Sequence, residues 1–281
     1  MAIPLISAAR LVVAASGLAA GGLVVLLACG RDTLQPSIPS TSQNLTDQEI
    51  AGLTSKKIFF GHQSVGNNIL QGIKELAAKD GRLKLNIVKS PDPQLVAGPA
   101  LIEFEIGQNG DPQSKIEAFT RILDKGIGSE GGIAMFKFCY VDIDSSTDIP
   151  RLFAGYRDRM DALKAKYPAW RPVHVTVPLT AMEPSAKDWV KNLLGRTTPQ
   201  DIAIKRNQFN VLMRKTYAGV DPIFDLAEVE STHTDGSRSY FTRGGQKIYT
   251  LAPEFTDDGG HLNEAGRRAA AARFLSILAH L

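Results

Sequence analysis

From residue 56 onward, short β-like runs alternate with helix-patterned segments, and that order leaves few folds open. Lys57 to Phe60 is a brief apolar run, and a helical pattern through Ile69, Ile73, Leu76 and Ala77 follows it. Leu83 to Val88 alternates as a strand does. "PQSKIEAFTRILDKGI" repeats apolar residues at Ile116, Phe119, Ile122 and Leu123, which is helical spacing. Gly132 to Asp142 predicts a strand, "PRLFAGYRDRMDALKAKYP" an amphipathic helix, and "RPVHVTVPL" another strand. A helix over residues 201–217 precedes a fifth strand in "DPIFDLAEVE". The closing helix, "NEAGRRAAAARFLSILAHL", has Asn263 available as its N-cap. Alternation of this kind predicts the α/β class, a three-layer α/β/α sandwich with a mostly parallel sheet of about five strands. Ligands of such sheets sit beyond the carboxyl ends of the strands.

Two connections break the alternation. Met182 to Gln200 is long and polar and contains Trp189; Ser231 to Thr256 holds "SYFTRGGQKIYTL", a hairpin pattern turning at Gly244-Gly245. Long connections in compact domains are often binding loops. Trp189 and Tyr240 are therefore candidates to stack on a substrate, and equally candidates to close an edge of the core.

Residues 1–28 carry a single charge, Arg10, and an almost unbroken apolar run, the pattern of an export signal. The ending Leu26-Leu27-Ala28-Cys29 resembles the bacterial lipobox, which implies acylation of Cys29 and a lipid-anchored place in the cell envelope. A plain signal anchor is the alternative, since the run could span a bilayer. Gly30 follows the cysteine where an inner-membrane retention signal would have aspartate, which implies the outer membrane in a cell that has one. Residues 29–46 are rich in Ser, Thr, Pro and Gln and predict a flexible tether. Residues 47–281 then form one domain. Cys139 is the one other cysteine, so no disulfide framework is available. The formal charge of +3 is spread among interspersed signs, with no stripe for nucleic acid.

The chemistry concentrates in two places. In "KKIFFGHQSVGNNIL" an apolar run ends on a corner that exposes Ser64 at the start of a helix. In "TDDGGHLNEAG" Asp258 and His261 stand two glycines apart, just before the last helix. A carboxylate on one imidazole nitrogen fixes the tautomer and leaves the other nitrogen to take a proton from a hydroxyl. A serine at its free pKa needs such a base. Both segments fall at the carboxyl edge of the predicted sheet.

On these residues the chain resembles the SGNH (GDSL-type) hydrolases over about residues 55–281, with the flavodoxin-like architecture that family implies. "IFFGHQSVG" is similar to the first block, with Ser64 as nucleophile. "DGGHLNEAG" is similar to the last, with Asp258 and His261 in the Asp-x-x-His positions. "IGQNGDPQSKIEAF" resembles the second block, which implies that the Gly107 N–H joins the Ser64 N–H in an oxyanion hole. The third block, Gly-x-Asn-Asp, corresponds to Cys139-Tyr140-Val141-Asp142, and Val141 cannot donate a hydrogen bond. Asn67, Asn68 or Asn109 could take over that donor. His62-Gln63 stands where the family has Gly-Asp. A Gly-x-Ser-x-Gly elbow of the α/β-hydrolase kind fits less well, because His62 occupies its first position and the serine follows the first strand.

The expected function is a serine esterase acting through an acyl-Ser64 intermediate on small acyl groups, such as the O-acetyl esters of a carbohydrate. An O-acetyltransferase with the same triad and a non-catalytic glycan-binding lipoprotein are the alternatives. No cofactor is implied. His62 is expected to contact substrate or to pack the corner. Asp257 is expected as a solvated neighbour able to compete with Asp258 for the histidine. His174 is expected in the core, Cys139 as a buried small side chain, and Lys137 either at solvent or at the site. His233 with Asp235 lacks a third ligand at metal-binding spacing.

Overall fold

The computed structural model describes residues 45–182 and 197–281, together with the backbone of residues 30 and 31. Cys29 and Trp189 lie outside the described residues. Among the described residues no helix is long and apolar enough to cross a membrane.

Five strands form the central sheet: β1 (Lys57–His62), β2 (Ile87–Lys89), β3 (Ala100–Glu105), β4 (Gly132–Phe136) and β5 (Trp170–Pro172). Their order is β2-β3-β1-β4-β5, and each neighbouring pair is parallel. β1 is therefore central, and the strands on either side of it, β3 and β4, release their following loops next to its carboxyl end. Seven helices of six residues or more are described: α1 (Asp47–Thr54), α2 (Ser64–Lys79), α3 (Pro112–Ile122), α4 (Ile149–Lys166), α5 (Pro199–Tyr217), α6 (Leu226–Ser231) and α7 (Glu264–Ala279).

The pleat of β1 divides the core. Ile58 and Phe60 face one layer with Ile69 and Ile73 of α2 and Phe274 and Leu275 of α7, while Phe59 faces the other with Phe119 of α3, Phe153 of α4 and Phe209 of α5. A strand buried on both faces reads as an unbroken apolar run, as "KIFF" does. This is the α/β/α sandwich with a parallel five-stranded sheet that the alternation predicts.

Four predicted strands differ from their expected extents, and Ala100–Glu105 is a strand the sequence pattern did not predict. Leu83–Val88 is extended only from Ile87. The run from Gly132 stops being a strand at Phe136, and Tyr140–Asp142 is a 3-10 turn closed by the Asp142 carboxylate accepting from the Cys139 N–H at 2.6 Å. "RPVHVTVPL" splits at Val173, so β5 pairs with β4 while β6 (His174–Val175) pairs with β7 (Ile223–Phe224). "DPIFDLAEVE" keeps only Ile223–Phe224 extended; Asp225 caps α6 through the Glu228 N–H and is gripped by Arg214. The predicted hairpin is present as β8 (Ser239–Arg243) and β9 (Gln246–Tyr249), joined through Gly244 and Gly245 at φ 57° and 77°. Gly30 and Arg31 pair with Tyr240 and Ser239 at its outer edge.

Candidate active site

Ser64 is the first residue of α2, immediately after β1, with Gln63 as its extended N-cap. Its side chain is half-buried, and its hydroxyl has no hydrogen-bond partner among the described residues. Two glycines hold this helix in place. A Cβ on Gly66 would lie 2.3 Å from the Cβ of His62, and one on Gly72 would lie 2.2 Å from the Arg267 carbonyl oxygen. α2 can therefore sit tightly over the corner and directly against α7, and the loop that enters α7 carries His261.

That loop is organised around Asp258. Its Oδ1 accepts from the backbone N–H groups of His261 at 2.7 Å and Gly260 at 2.9 Å, and its Oδ2 meets His261 Nδ1 at 2.6 Å. These backbone donors, followed by the imidazole, hold the Asp258 carboxyl far below the usual carboxylate range. An ionised carboxylate can only accept, so the proton sits on Nδ1 and the lone pair of Nε2 is left open. Asn68, one helical turn after Ser64, accepts from the Leu262 N–H at 3.1 Å and ties the two segments together. The Tyr140 ring stands edge-on to the His261 ring at 5.8 Å, and its carbonyl accepts from Arg206 Nε at 2.8 Å. Asp257 does not compete for the histidine: it accepts from Asn263 Nδ2.

The loop after β3 supplies the opposite wall. Gly107 has φ +61°, and a Cβ there would fall 2.5 Å from Lys115 Cγ, so glycine is required twice over. The Gln63 side chain donates to the Gly107 carbonyl at 3.0 Å, and the Gly107 N–H makes no hydrogen bond among the described residues. The Gly110 N–H is taken by Asp142 Oδ1 at 2.9 Å. Val141, in the third-block position, is 46% exposed and offers no polar atom from its side chain. Of the three asparagines proposed to replace it, Asn67 donates to Glu105 and Asn68 faces the histidine loop, whereas Asn109 is exposed with its Oδ1 held by Lys115 Nζ at 3.0 Å.

Other expected site residues are placed elsewhere. His62 is fully buried and bonded through Nε2 to Glu103 at 3.0 Å; it packs the corner rather than facing substrate, because Gly66 closes over it. Burial lowers its pKa, against the opposing pull of Glu103. Tyr240 packs against Tyr249 and Lys247 in the hairpin, and among the described residues no hydrogen bond or ring contact joins it to Ser64, Asp258 or His261. Lys137 is entirely buried, 3.3 Å from the Phe138 carbonyl and 3.6 Å from Cys139 Sγ, and desolvation lowers its pKa. His174 is a core histidine. His233 pairs with Glu254 and Ser239 at 2.7 Å each, and no metal-binding cluster occurs among the described residues. Lys115 escaped the sequence reading; a lysine one place before Ile116, on the buried side of an amphipathic helix, was the available signal.

No family model and no curated protein matches this sequence. Solved structures do resemble it. One, from Streptococcus pneumonia and assigned as a platelet activating factor, has a TM-score of 0.47 at 11% identity over 82% of this chain and 91% of its own. A protein of Desulfitobacterium hafniense DCB-2 assigned as lipolytic in the G-D-S-L family has 0.42 at 8% identity over 79% and 99%. A carbohydrate esterase family 3 structure from Talaromyces cellulolyticus has 0.39 at 13% identity over 78% and 93%. At these identities and TM-scores the likeness assigns nothing to this chain, and its chemistry has to be read from its own side chains.

Proposed function

We propose that the protein is a serine esterase that removes small acyl groups, acetyl foremost, from a carbohydrate or similar ester. The observation that carries this reading is the Asp258–His261 hydrogen bond of 2.6 Å, whose geometry leaves Nε2 open beside the helix that begins with Ser64. Among the described residues no hydrogen bond joins Ser64 Oγ to His261 Nε2, and contacts of this kind commonly tighten only in the reacting complex.

In the proposed cycle Ser64 Oγ attacks the ester carbonyl carbon while its proton passes to His261 Nε2. The negative oxygen of the tetrahedral intermediate is stabilised by the Ser64 N–H at the positive end of α2 and by the Gly107 N–H of the loop after β3. Collapse breaks the bond to the alkoxy oxygen, which takes the proton from His261, and the alcohol leaves. Water then gives its proton to His261 and attacks the acyl-serine carbon. As this second intermediate collapses the bond to Ser64 Oγ breaks, His261 returns the proton to that oxygen, and the acid leaves. Asp258 stays ionised throughout, keeping His261 in the required tautomer.

A lipid anchor at Cys29 in the bacterial envelope belongs to the same proposal and rests on the sequence alone. The preference for carbohydrate esters rests on that location and on the resemblance to the SGNH hydrolases. The test is p-nitrophenyl acetate turnover by the chain and by its Ser64→Ala variant. Turnover that disappears in the variant supports the esterase; equal background rates in both remove it.

A further inference from the structure

We infer that Asn109 is the third oxyanion donor of this site, and that the buried Lys115–Asp142 pair is what aims it. The inference rests on the esterase reading above.

Lys115 and Asp142 are both inaccessible to solvent at their side chains, with Nζ 2.5 Å from Oδ2. The cost of burying two charges is met only where their remaining bonding capacity is used. Here it is used on the two loops that flank Ser64. Asp142 also accepts from the Cys139 N–H after β4 and from the Gly110 N–H after β3. Lys115 gives a second bond to Asn109 Oδ1 at 3.0 Å. The pair is thus a buried clamp between the neighbours of β1.

The direction of the Asn109 amide follows from the chemistry of its partner. An ammonium has only donors, so the amide oxygen must face Lys115, and the NH₂ group must face away from it. Asn109 is exposed and its NH₂ has no partner among the described residues. It sits two residues after Gly107, on the loop whose N–H is offered to the oxyanion. Asn68 is on the other side, holding the histidine loop, and Val141 has nothing to donate. The amide donor missing from the turn after β4 is therefore supplied from the turn after β3, with that missing turn's aspartate anchoring it through a lysine.

The test uses the full chain and p-nitrophenyl acetate. Asn109→Ala should lower kcat by ~100- to 1,000-fold with KM little changed, because the bond forms only with the charged intermediate. Asn109→Asp, which keeps the Lys115 contact but loses the NH₂, should fall at least as far. Lys115→Met should lower kcat in the wild-type background and cost little further in Asn109→Ala, the sign of one residue acting through the other. If Lys115→Met does not fold, the two exposed Asn109 variants decide the matter. Normal kcat in Asn109→Ala, with turnover still abolished by Ser64→Ala, overturns the inference and leaves the esterase standing. Absence of Ser64-dependent turnover in the unaltered chain overturns both. Additive losses in the Lys115 and Asn109 variants overturn the aiming role.

Discussion

The Asn68 side-chain oxygen accepts a hydrogen bond from the Leu262 N–H at 3.1 Å, joining residues 194 positions apart. Asn68 is one turn beyond Ser64, and Leu262 is the residue after His261. This contact therefore sets the spacing between the nucleophile and its base. Asn68→Ala should cost about 1 kcal/mol of stability in urea unfolding. It should also lower kcat by roughly 10- to 100-fold through misplacement of the histidine loop. A variant with unchanged kcat would mean that α2 and α7 fix the spacing without it.

The Asp258 carboxylate gathers two backbone N–H groups as well as the imidazole. Asp258→Asn keeps the shape but can present its NH₂ to Nδ1, which turns the ring to the wrong tautomer. The expected loss in kcat is about 10³- to 10⁴-fold with KM nearly unchanged. Steady-state kinetics at several pH values would check it; recovery of activity at some pH would count against a tautomer effect.

Gly72 lets α2 touch the α7 backbone, with a hypothetical Cβ only 2.2 Å from the Arg267 carbonyl oxygen. Gly72→Ala should destabilise by ~1–3 kcal/mol, since neither backbone can yield cheaply. Gly155, exposed in α4 with open space around it, provides the contrast. Gly155→Ala should stabilise by up to about 1 kcal/mol. Chemical denaturation of both variants measures the difference, and equal effects would contradict the close helix contact.

His174 lies between Tyr156 Oη at 2.7 Å and Asp221 at 3.3 Å, stacked 3.5 Å above Tyr217. Burial pulls its pKa down to about 4 from an ordinary 6.5. As pH falls, the unfolded chain takes the proton before the folded one does. This contribution to stability is complete above 6.5 and is lost progressively between 6.5 and about 4. The total is ~3 kcal/mol. Urea unfolding across that window should show a shallower acid slope in His174→Gln than in the unaltered chain; parallel slopes would exclude the assignment.

Much of the order of elements was legible because most strands are followed by a helix with its own signals; β3 (Ala100–Glu105) was not, since only the short 3-10 turn Pro93–Leu95 separates it from β2. "KIFF" is apolar on both faces of a central strand, Asn263 caps α7, and Gly244-Gly245 turns the hairpin. The Asp258–His261 pair was legible for a local reason, since three residues and two glycines suffice to bring the side chains together. His62 was not: whether a residue at a strand's end faces out or in depends on what closes over it, and that is Gly66 from the following helix. Val141 was correctly recognised as unable to donate, but the choice among Asn67, Asn68 and Asn109 required knowing the partners of each.

By itself the sequence determined the alternation that makes a parallel sheet, the corner that exposes Ser64 and the short loop that couples Asp258 to His261. These depend on periodicity, caps and spacing, which act within a few residues. Tertiary structure alone decided that β1 is central, that α2 and α7 touch at Gly72, and that a lysine in α3 reaches an aspartate after β4. Those relationships join residues far apart in the chain. They are set by how the layers pack and by the requirement that a buried charge find its partner.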